Sequence, residues 1–165
     1  MSSNYKSLGI RPVINANATL TKLGGSLMPA EVRQAMQDAA QSFVDMHDLQ
    51  QEVGTRLAEI TRNEAAFVSC GAATGLLLAT AACIMKVSGA TYEDFPNPLG
   101  TQNEVIVQRM HRNPYDYAVQ QAGASLVEIG TMDGTSLKDL ENAYSASTVA
   151  IFWFQGAMNQ PSELS

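Results

Sequence analysis

Apolar residues recur along the chain at spacings that predict an alternation of helices and strands. Residues 29–44 and 47–62 carry apolar side chains three and four positions apart, which is typical of a helix with one buried face. Pro29 suits the first turn of the earlier helix. Residues 6–27 show no sustained period and contain a proline and several glycines, so an extended arm is predicted there.

From residue 64 onward, short apolar runs alternate with helical segments. Ser136 and Asp139 form a capping box that starts the last helix. The predicted strands are 64–70, 104–110, 125–129 and 148–154, the other helices are 72–86 and 113–123, and 87–103 is a loop. This alternation predicts an α/β fold with a mainly parallel sheet and flanking helices, whose ligands gather at the carboxyl ends of strands.

Small residues follow the predicted strand 64–70 and open the next helix. Gly71, Ala72 and Ala73 have no bulky side chain, so an anion can approach the backbone N–H groups at the positive end of the helix dipole. Thr74 adds a hydroxyl donor. A strand–glycine–helix junction also occurs where a helix packs tightly on a sheet, so both an anion cradle and a packing junction fit these residues.

Composition narrows the function classes. The chain has a formal net charge of −6 and its ten Lys and Arg residues are scattered, which does not favour a nucleic-acid partner. The apolar run 76–85 is too short to span a bilayer, and residues 1–6 lack the apolar core of a signal peptide, so a cytoplasmic protein without a membrane role is expected. Cys70 and Cys83 lack metal-ligand spacing and are expected to be reduced thiols.

Three ordered motifs carry a resemblance to a known family. They are the arm segment that starts Arg11-Pro-Val-Ile-Asn-Ala-Asn-Ala-Thr, the cradle Ser69-Cys-Gly-Ala-Ala-Thr-Gly75, and His111-Arg-Asn-Pro-Tyr-Asp-Tyr117 with Ala122-Gly-Ala-Ser-Leu-Val-Glu-Ile-Gly130. Together they resemble the pyridoxal-phosphate enzymes of fold type I, in the branch of selenocysteine synthase (L-seryl-tRNA(Sec) selenium transferase) and D-glucosaminate-6-phosphate ammonia-lyase. The third motif is closer to the ammonia-lyase side than to the tRNA-directed synthase.

The resemblance implies roles for individual residues around pyridoxal 5′-phosphate. Gly71, Ala72 and Thr74 would hold the cofactor phosphate, and His111 would lie over the pyridine ring. It also implies contacts to an amino-acid or amino-sugar-acid substrate. Three come from the arm, across the interface of a dimer or higher homo-oligomer, and one is an anion contact made by the residue after the histidine. Those residues are Arg11, Asn15, Thr19 and Arg112.

The chemistry of this family needs a lysine that forms a Schiff base and an acid beside the pyridine nitrogen. The resemblance places both beyond Ser165, and the four lysines of the chain, Lys6, Lys22, Lys86 and Lys138, do not match that pattern. We therefore expect an amino-terminal fragment of a lyase or transferase, without catalytic residues of its own and inactive alone. Its expected parts are an arm (1–28), a helical segment (29–63) and the truncated first part of the cofactor-binding domain (64–165).

Two other classes of function fit some of the residues. Cys70 at a strand–turn–helix elbow, with His111 as the base, would suit a cysteine-nucleophile hydrolase, since helix N-termini lower thiol pKa values. Against this class, Val68 stands where a nucleophile elbow has glycine. The second alternative is a non-catalytic module whose cradle binds a phosphate-bearing ligand or serves only in packing.

Overall fold

The computed structural model describes residues 5–98 and 102–154. The chain forms two compact units, Met1–Gln51 and Glu52–Ser165. The division between them falls inside the helical segment predicted at 29–63. The predicted loop residue Gly100, and the part of the chain after residue 154, lie outside the described residues.

The first unit contains short helical turns and one longer helix. Its 3-10 turns are Tyr5–Leu8 and Thr21–Leu23, and helix α1 is Ala30–Ala39, beginning directly after Pro29 as predicted. The prediction of a buried face on this helix is wrong, because Val32 and Met36 are 45% and 56% exposed. An apolar stripe is buried only where another surface covers it, and the described residues leave this stripe open.

Helix α2 (Met46–Thr61) confirms the second predicted helix, but its buried side is rotated from the predicted one. The buried residues are Gly54 and Ala58, whereas Ile60 of the predicted face is 63% exposed. The cause is a close backbone contact. A Cβ atom at Gly54 would lie 2.6 Å from the carbonyl oxygen of Ala66, so only glycine allows this approach.

The sheet has three parallel strands in the order β2-β1-β3, which confirms the predicted parallel α/β fold. The strands are β1 (Glu104–Gln108), β2 (Ser125–Ile129) and β3 (Thr148–Phe152). The strand predicted at 64–70 is not formed. An extended segment becomes a strand only when it pairs with a neighbour, and it has no ladder partner among the described residues.

Helices α3 (Ala72–Ser88), α4 (Tyr117–Gln121) and α5 (Leu137–Ala143) belong to the second unit. The helix predicted at 113–123 begins instead with a 3-10 turn, Pro114–Asp116, before α4. The predicted capping box of α5 is confirmed, since the Asp139 carboxylate accepts the Ser136 N–H at 2.9 Å. Hydrogen bonds from Ser136 lower the pKa of Asp139. Between α3 and β1 the described residues form a loop with one 3-10 turn, Tyr92–Asp94.

The direction of α3 follows from its core contacts. Ile84, near the end of this helix, is fully buried against Val105, Val119 and Ala124. Val105 lies near the start of β1, and Ala124 directly precedes β2. Helices that connect parallel strands run antiparallel to them, and with Ile84 beside the strand starts this places the first turn of α3 toward the carboxyl edge of the sheet. Among the described residues, no helix has the length and apolarity of a bilayer span.

Candidate functional site

The first turn of α3 presents backbone N–H groups that are not used inside the helix. Gly75 N–H donates to the Gly71 carbonyl at 3.0 Å as the first helical bond, so the N–H groups of residues 72–74 have no intrahelical acceptor. No side chain caps this end of the helix within the described part of the chain. Gly71 has φ +122°, a conformation that favours glycine, and a Cβ atom there would meet open space. The turn thus has room and donors for an anion.

Ser69 stabilises this turn from the preceding segment. Its hydroxyl donates to the Gly71 carbonyl oxygen at 3.0 Å. A Cβ atom at Gly75 would lie 3.3 Å from the same hydroxyl oxygen, so a small residue is favoured at that position. Ala72 is exposed and Thr74 is half-buried, which leaves the backbone donors of the turn accessible to solvent.

His111 lies in the 3-10 turn Arg109–His111 that directly follows β1, at the same edge of the sheet. Its residue exposure is only 2%, and its ring meets Trp153 edge to face with centroids 4.5 Å apart and planes at 77°. Neither ring nitrogen has a hydrogen-bond partner among the described residues. Burial lowers the pKa of His111, which favours the neutral form of the ring.

The next residue, Arg112, is engaged by two carboxylates. Its Nε donates to Asp116 and its Nη1 to Glu128, while its Nη2 lies 3.5 Å from the second Asp116 oxygen. Asp116 is buried at 5% exposure, and its hydrogen bond is the main reason why the pKa of Arg112 is raised. We call Arg112, Asp116 and Glu128 the arginine–carboxylate cluster. Arg109 is a looser neighbour, since its Nε is 3.9 Å from Glu128.

Asn113 connects His111 to this cluster. Its side-chain amide donates to the His111 carbonyl at 3.0 Å, and its backbone N–H donates to the Asp116 carboxylate at 3.2 Å. The Asn113 side-chain oxygen accepts the Tyr115 N–H at 2.9 Å. These bonds form a capping box with proline in the first turn, which fixes the path of the chain after β1.

The predicted arm residues belong to the first unit, whereas the cradle and His111 belong to the second. Asn15 makes a local turn, accepting the Asn17 N–H and donating to the Ala18 carbonyl, both at 2.8 Å. Asn15 and Thr19 line a concave surface of about 610 Å³ in this unit, of which Arg11 is not part. The structure thus brings Gly71, Ala72, Thr74 and His111 to one edge of the sheet and leaves the arm residues in the other unit.

Several residues at the carboxyl edge were not predicted from the sequence. Trp153 follows β3 and covers His111, and two buried polar side chains have oxygens without hydrogen-bond partners in the described residues, those of Gln108 and Thr135. Gln108 ends β1 directly after three buried apolar residues, and a polar residue in that position is the signal that could have found it. The pairings of Asp116 and Glu128 depend on the folded path of the chain.

The geometry argues against the cysteine-hydrolase alternative. Cys70 is exposed and follows no strand of the described sheet. Because neither nitrogen of His111 has a hydrogen-bond partner within the described residues, no nucleophile–base pair is formed with Cys70. No group of three or more His, Cys, Asp and Glu side chains suited to a metal ion is found in residues 5–98 and 102–154.

The chain is similar in sequence to three characterised enzymes. It is 35% identical over 154 residues to a 5′-C-glycyluridine monooxygenase-decarboxylase from Streptomyces, covering 90% of this chain and 39% of that enzyme. It is 31% identical to the D-glucosaminate-6-phosphate ammonia lyase of Salmonella typhimurium, covering 90% and 42%. The L-seryl-tRNA(Sec) selenium transferase of Alkaliphilus oremlandii is also 31% identical, with 89% and 32% covered. The chain thus spans about two fifths or less of the length of these relatives.

The structural comparison agrees with the sequence comparison. A solved structure of D-glucosaminate-6-phosphate ammonia-lyase matches with a TM-score of 0.87 and 29% identity, covering 98% of this chain and 45% of that one. No protein-family model matches the chain. These similarities in sequence and structure confirm the predicted resemblance to the branch that contains D-glucosaminate-6-phosphate ammonia lyase and L-seryl-tRNA(Sec) selenium transferase.

Proposed function

We propose that this chain supplies the phosphate- and ring-binding part of a pyridoxal-phosphate-dependent lyase or transferase. The observation that carries the proposal is the uncapped first turn of α3, which lies at the same edge of the sheet as the buried His111. Backbone N–H groups at a helix start suit a phosphate, and an uncharged imidazole ring suits contact with a pyridine ring. When bound, pyridoxal phosphate withdraws electrons from the α-carbon of an amino substrate.

In this proposal Gly71 keeps the approach to the cradle open, and the N–H groups of Ala72 and Thr74 donate to the phosphate. His111 offers one face of its ring to the cofactor. His111 is 2% exposed, and its ring neighbour Trp153 is 40% exposed, so we expect the Trp153 side chain to move when the imidazole contacts the cofactor. Cofactor binding is therefore expected to change the environment of Trp153.

The proposed substrate is an amino acid or an amino-sugar acid. The three relatives are named for glycyl, glucosaminate and seryl compounds. Each of these compounds carries an amino group and a carboxylate or acyl carbon. The three named reactions differ, and the ammonia-lyase assignment rests on the His111-Arg-Asn-Pro-Tyr-Asp-Tyr117 motif. Arg11, Asn15 and Thr19 remain proposed substrate contacts, made in a cytoplasmic homo-oligomer.

The lysines of the chain are not assigned a covalent role. Lys86 lies in the last turn of α3, which is the end away from the cradle, and Lys138 is an exposed residue of α5. We expect that borohydride reduction in the presence of pyridoxal phosphate gives no stoichiometric adduct at one lysine of this chain, and that the chain alone turns over no amino acid. Mass spectrometry of the peptides and an ammonia-release assay measure the two outcomes. A single modified lysine would contradict this part of the proposal.

A binding titration tests the proposal itself. The chain has one tryptophan, so its fluorescence reports on Trp153 alone while pyridoxal phosphate is added. We expect a saturable change with one site per chain, and competition by inorganic phosphate because both ligands would use the cradle. Pyridoxal without its phosphate is the control and should bind much more weakly. Equal binding of pyridoxal and pyridoxal phosphate would remove the cradle from the proposal.

A further inference from the structure

The His111 ring is held in place without any hydrogen bond of its own among the described residues. It is buried at 2% exposure and contacts Trp153, which is itself 40% exposed. A ring placed only by packing takes its position from the backbone that carries it. The path of residues 109–116 therefore decides where the imidazole lies.

That path is fixed by the arginine–carboxylate cluster. The Arg112 guanidinium contacts Glu128 on β2, sixteen residues away, and Asp116 four residues further along the same turn. Asp116 also accepts the backbone N–H of Asn113, whose side chain donates to the carbonyl of His111. One continuous set of bonds thus connects the His111 carbonyl, and the backbone that follows it, to the neighbouring strand.

The charges of the cluster do not favour an anionic ligand. The single guanidinium of Arg112 already faces two carboxylates, and the nearby Arg109 is 61% exposed and 3.9 Å from Glu128. A phosphate or substrate carboxylate that approached Arg112 would meet the negative charge of Asp116 and Glu128 as well. Arginine also suits two acceptors at once because its N–H groups form a planar fork, which lysine lacks.

We propose that Arg112 is a positioning residue, which holds the turn after β1 on strand β2 and thereby sets the place of the His111 ring. The importance of that place for catalysis rests on the proposed function, whereas the placement itself can be measured without any cofactor. The inference replaces the role of Arg112 as an anion contact, which was expected from the sequence resemblance.

Arg112→Lys tests this role, because it keeps the positive charge and removes the fork. The readout is the pH dependence of the Trp153 fluorescence, since a protonated histidine in contact with an indole changes its emission. His111→Gln identifies the transition by abolishing it. Burial lowers the pKa of His111, so the wild-type midpoint should lie below about 6.5. In Arg112→Lys the ring becomes more hydrated, and we expect the midpoint to rise by about half a pH unit.

Arg109→Lys is the matched control, since it makes the same change at an exposed neighbour. Its midpoint should stay at the wild-type value. A wild-type midpoint in folded Arg112→Lys, or equal shifts in the two variants, would overturn the proposal. Circular dichroism reports whether each variant is folded.

Glu128→Gln gives a second test, which does not depend on whether the Arg112→Lys variant folds. Loss of a nearby negative charge alone would lower the pKa of His111, whereas release of the turn and hydration of the ring would raise it. We expect the midpoint to rise, and an unchanged or lowered midpoint would contradict the proposal. If these shifts occur but pyridoxal phosphate does not bind the wild-type chain, the positioning role holds and the proposed function fails.

Discussion

The start of α3 and the turn after β1 lie at the same edge of the sheet but are built from different parts of the chain. The cradle at Gly71 is made of consecutive backbone N–H groups, and the hydroxyl of Ser69 supports it by donating to the Gly71 carbonyl. The turn at His111 is made of side chains, and one of its anchors, Glu128, comes from another strand. The first site depends on backbone conformation, and the second depends on pairing across the fold.

This difference predicts which substitutions each site tolerates. A site made of backbone groups is sensitive to substitution of the residues that allow the required φ angle and the close approach of the ligand. It tolerates substitutions at other positions. A site held by ion pairs is sensitive at each partner, because loss of one leaves a partly buried charge without its counterpart. We therefore expect the largest losses of function from substitutions at Gly71 in the cradle and at Arg112 or Asp116 in the turn.

The largest expected effect is that of Gly71→Val on cofactor binding. The new side chain extends into the open space beside the turn, where the phosphate is proposed to bind, and strains a backbone at φ +122°. We expect the affinity for pyridoxal phosphate to fall about a hundredfold, or about 2.7 kcal/mol. The Trp153 fluorescence titration measures it.

Gly89→Val is the matched control for this substitution. Gly89 has φ +73° and open space at the other end of α3, so the variant carries similar backbone strain away from the cradle. It should lose stability but keep its affinity for pyridoxal phosphate. Equal losses of affinity in the two variants would show that the cradle has no special role.

Gly54→Ala should be the next largest change, and it acts on the segment that leads into the cradle. The added Cβ would meet the Ala66 carbonyl at 2.6 Å, which outweighs the better helix propensity of alanine. We expect the free energy of unfolding to fall by about 2 kcal/mol in urea denaturation. Glu52→Ala, on the exposed side of the same helix, should change it by less than about 0.5 kcal/mol. Equal stability of the two variants would mean that the contact is not tight.

Ser136→Ala should have a smaller effect that is confined to α5. The Ser136 hydroxyl accepts the Asp139 N–H at 3.2 Å, and its loss should reduce the free energy of unfolding by about 1 kcal/mol. Affinity for pyridoxal phosphate should not change, because the cap is not part of either site. Ser125→Ala, at an exposed strand residue, is the control and should be near neutral. An altered affinity for pyridoxal phosphate in Ser136→Ala would contradict the claim that this helix cap does not contribute to the cofactor site.

The smallest predicted effect is a pH dependence of stability. Burial lowers the pKa of His111 in the folded chain, so its contribution to stability is present above the unfolded pKa of about 6.5. That contribution is lost as the pH falls from this value through the lower folded pKa, because the unfolded chain binds the proton more readily. Urea denaturation at several pH values measures it, and His111→Gln should flatten the dependence between pH 7 and 5. The same slope in both proteins would contradict the burial of a neutral ring.

The sequence predicted the elements that depend on local patterns. The parallel sheet, α3 and the Ser136 capping box all follow from apolar spacing and from cap residues a few positions apart. The strand at 64–70 was predicted wrongly, because periodicity shows a preference for extended backbone but does not supply the neighbour that a strand needs.

The candidate site divides in the same way. The cradle was predicted because glycine and alanine before an apolar helix form a local signal. The contacts of Trp153 with His111 and of Arg112 with Glu128 join residues that are 42 and 16 positions apart. Such pairs are set by the order of strands in the sheet, so the sequence pattern alone did not indicate them.

The central claim is that the first turn of α3 holds the cofactor phosphate. Nuclear magnetic resonance of ¹⁵N-labelled protein tests it directly, because a phosphate that accepts hydrogen bonds moves the amide signals of its donors. Addition of pyridoxal phosphate should produce the largest shifts at Ala72, Ala73 and Thr74, and inorganic phosphate should move the same signals. Saturable binding of pyridoxal phosphate that leaves these three amides unmoved would contradict the claim.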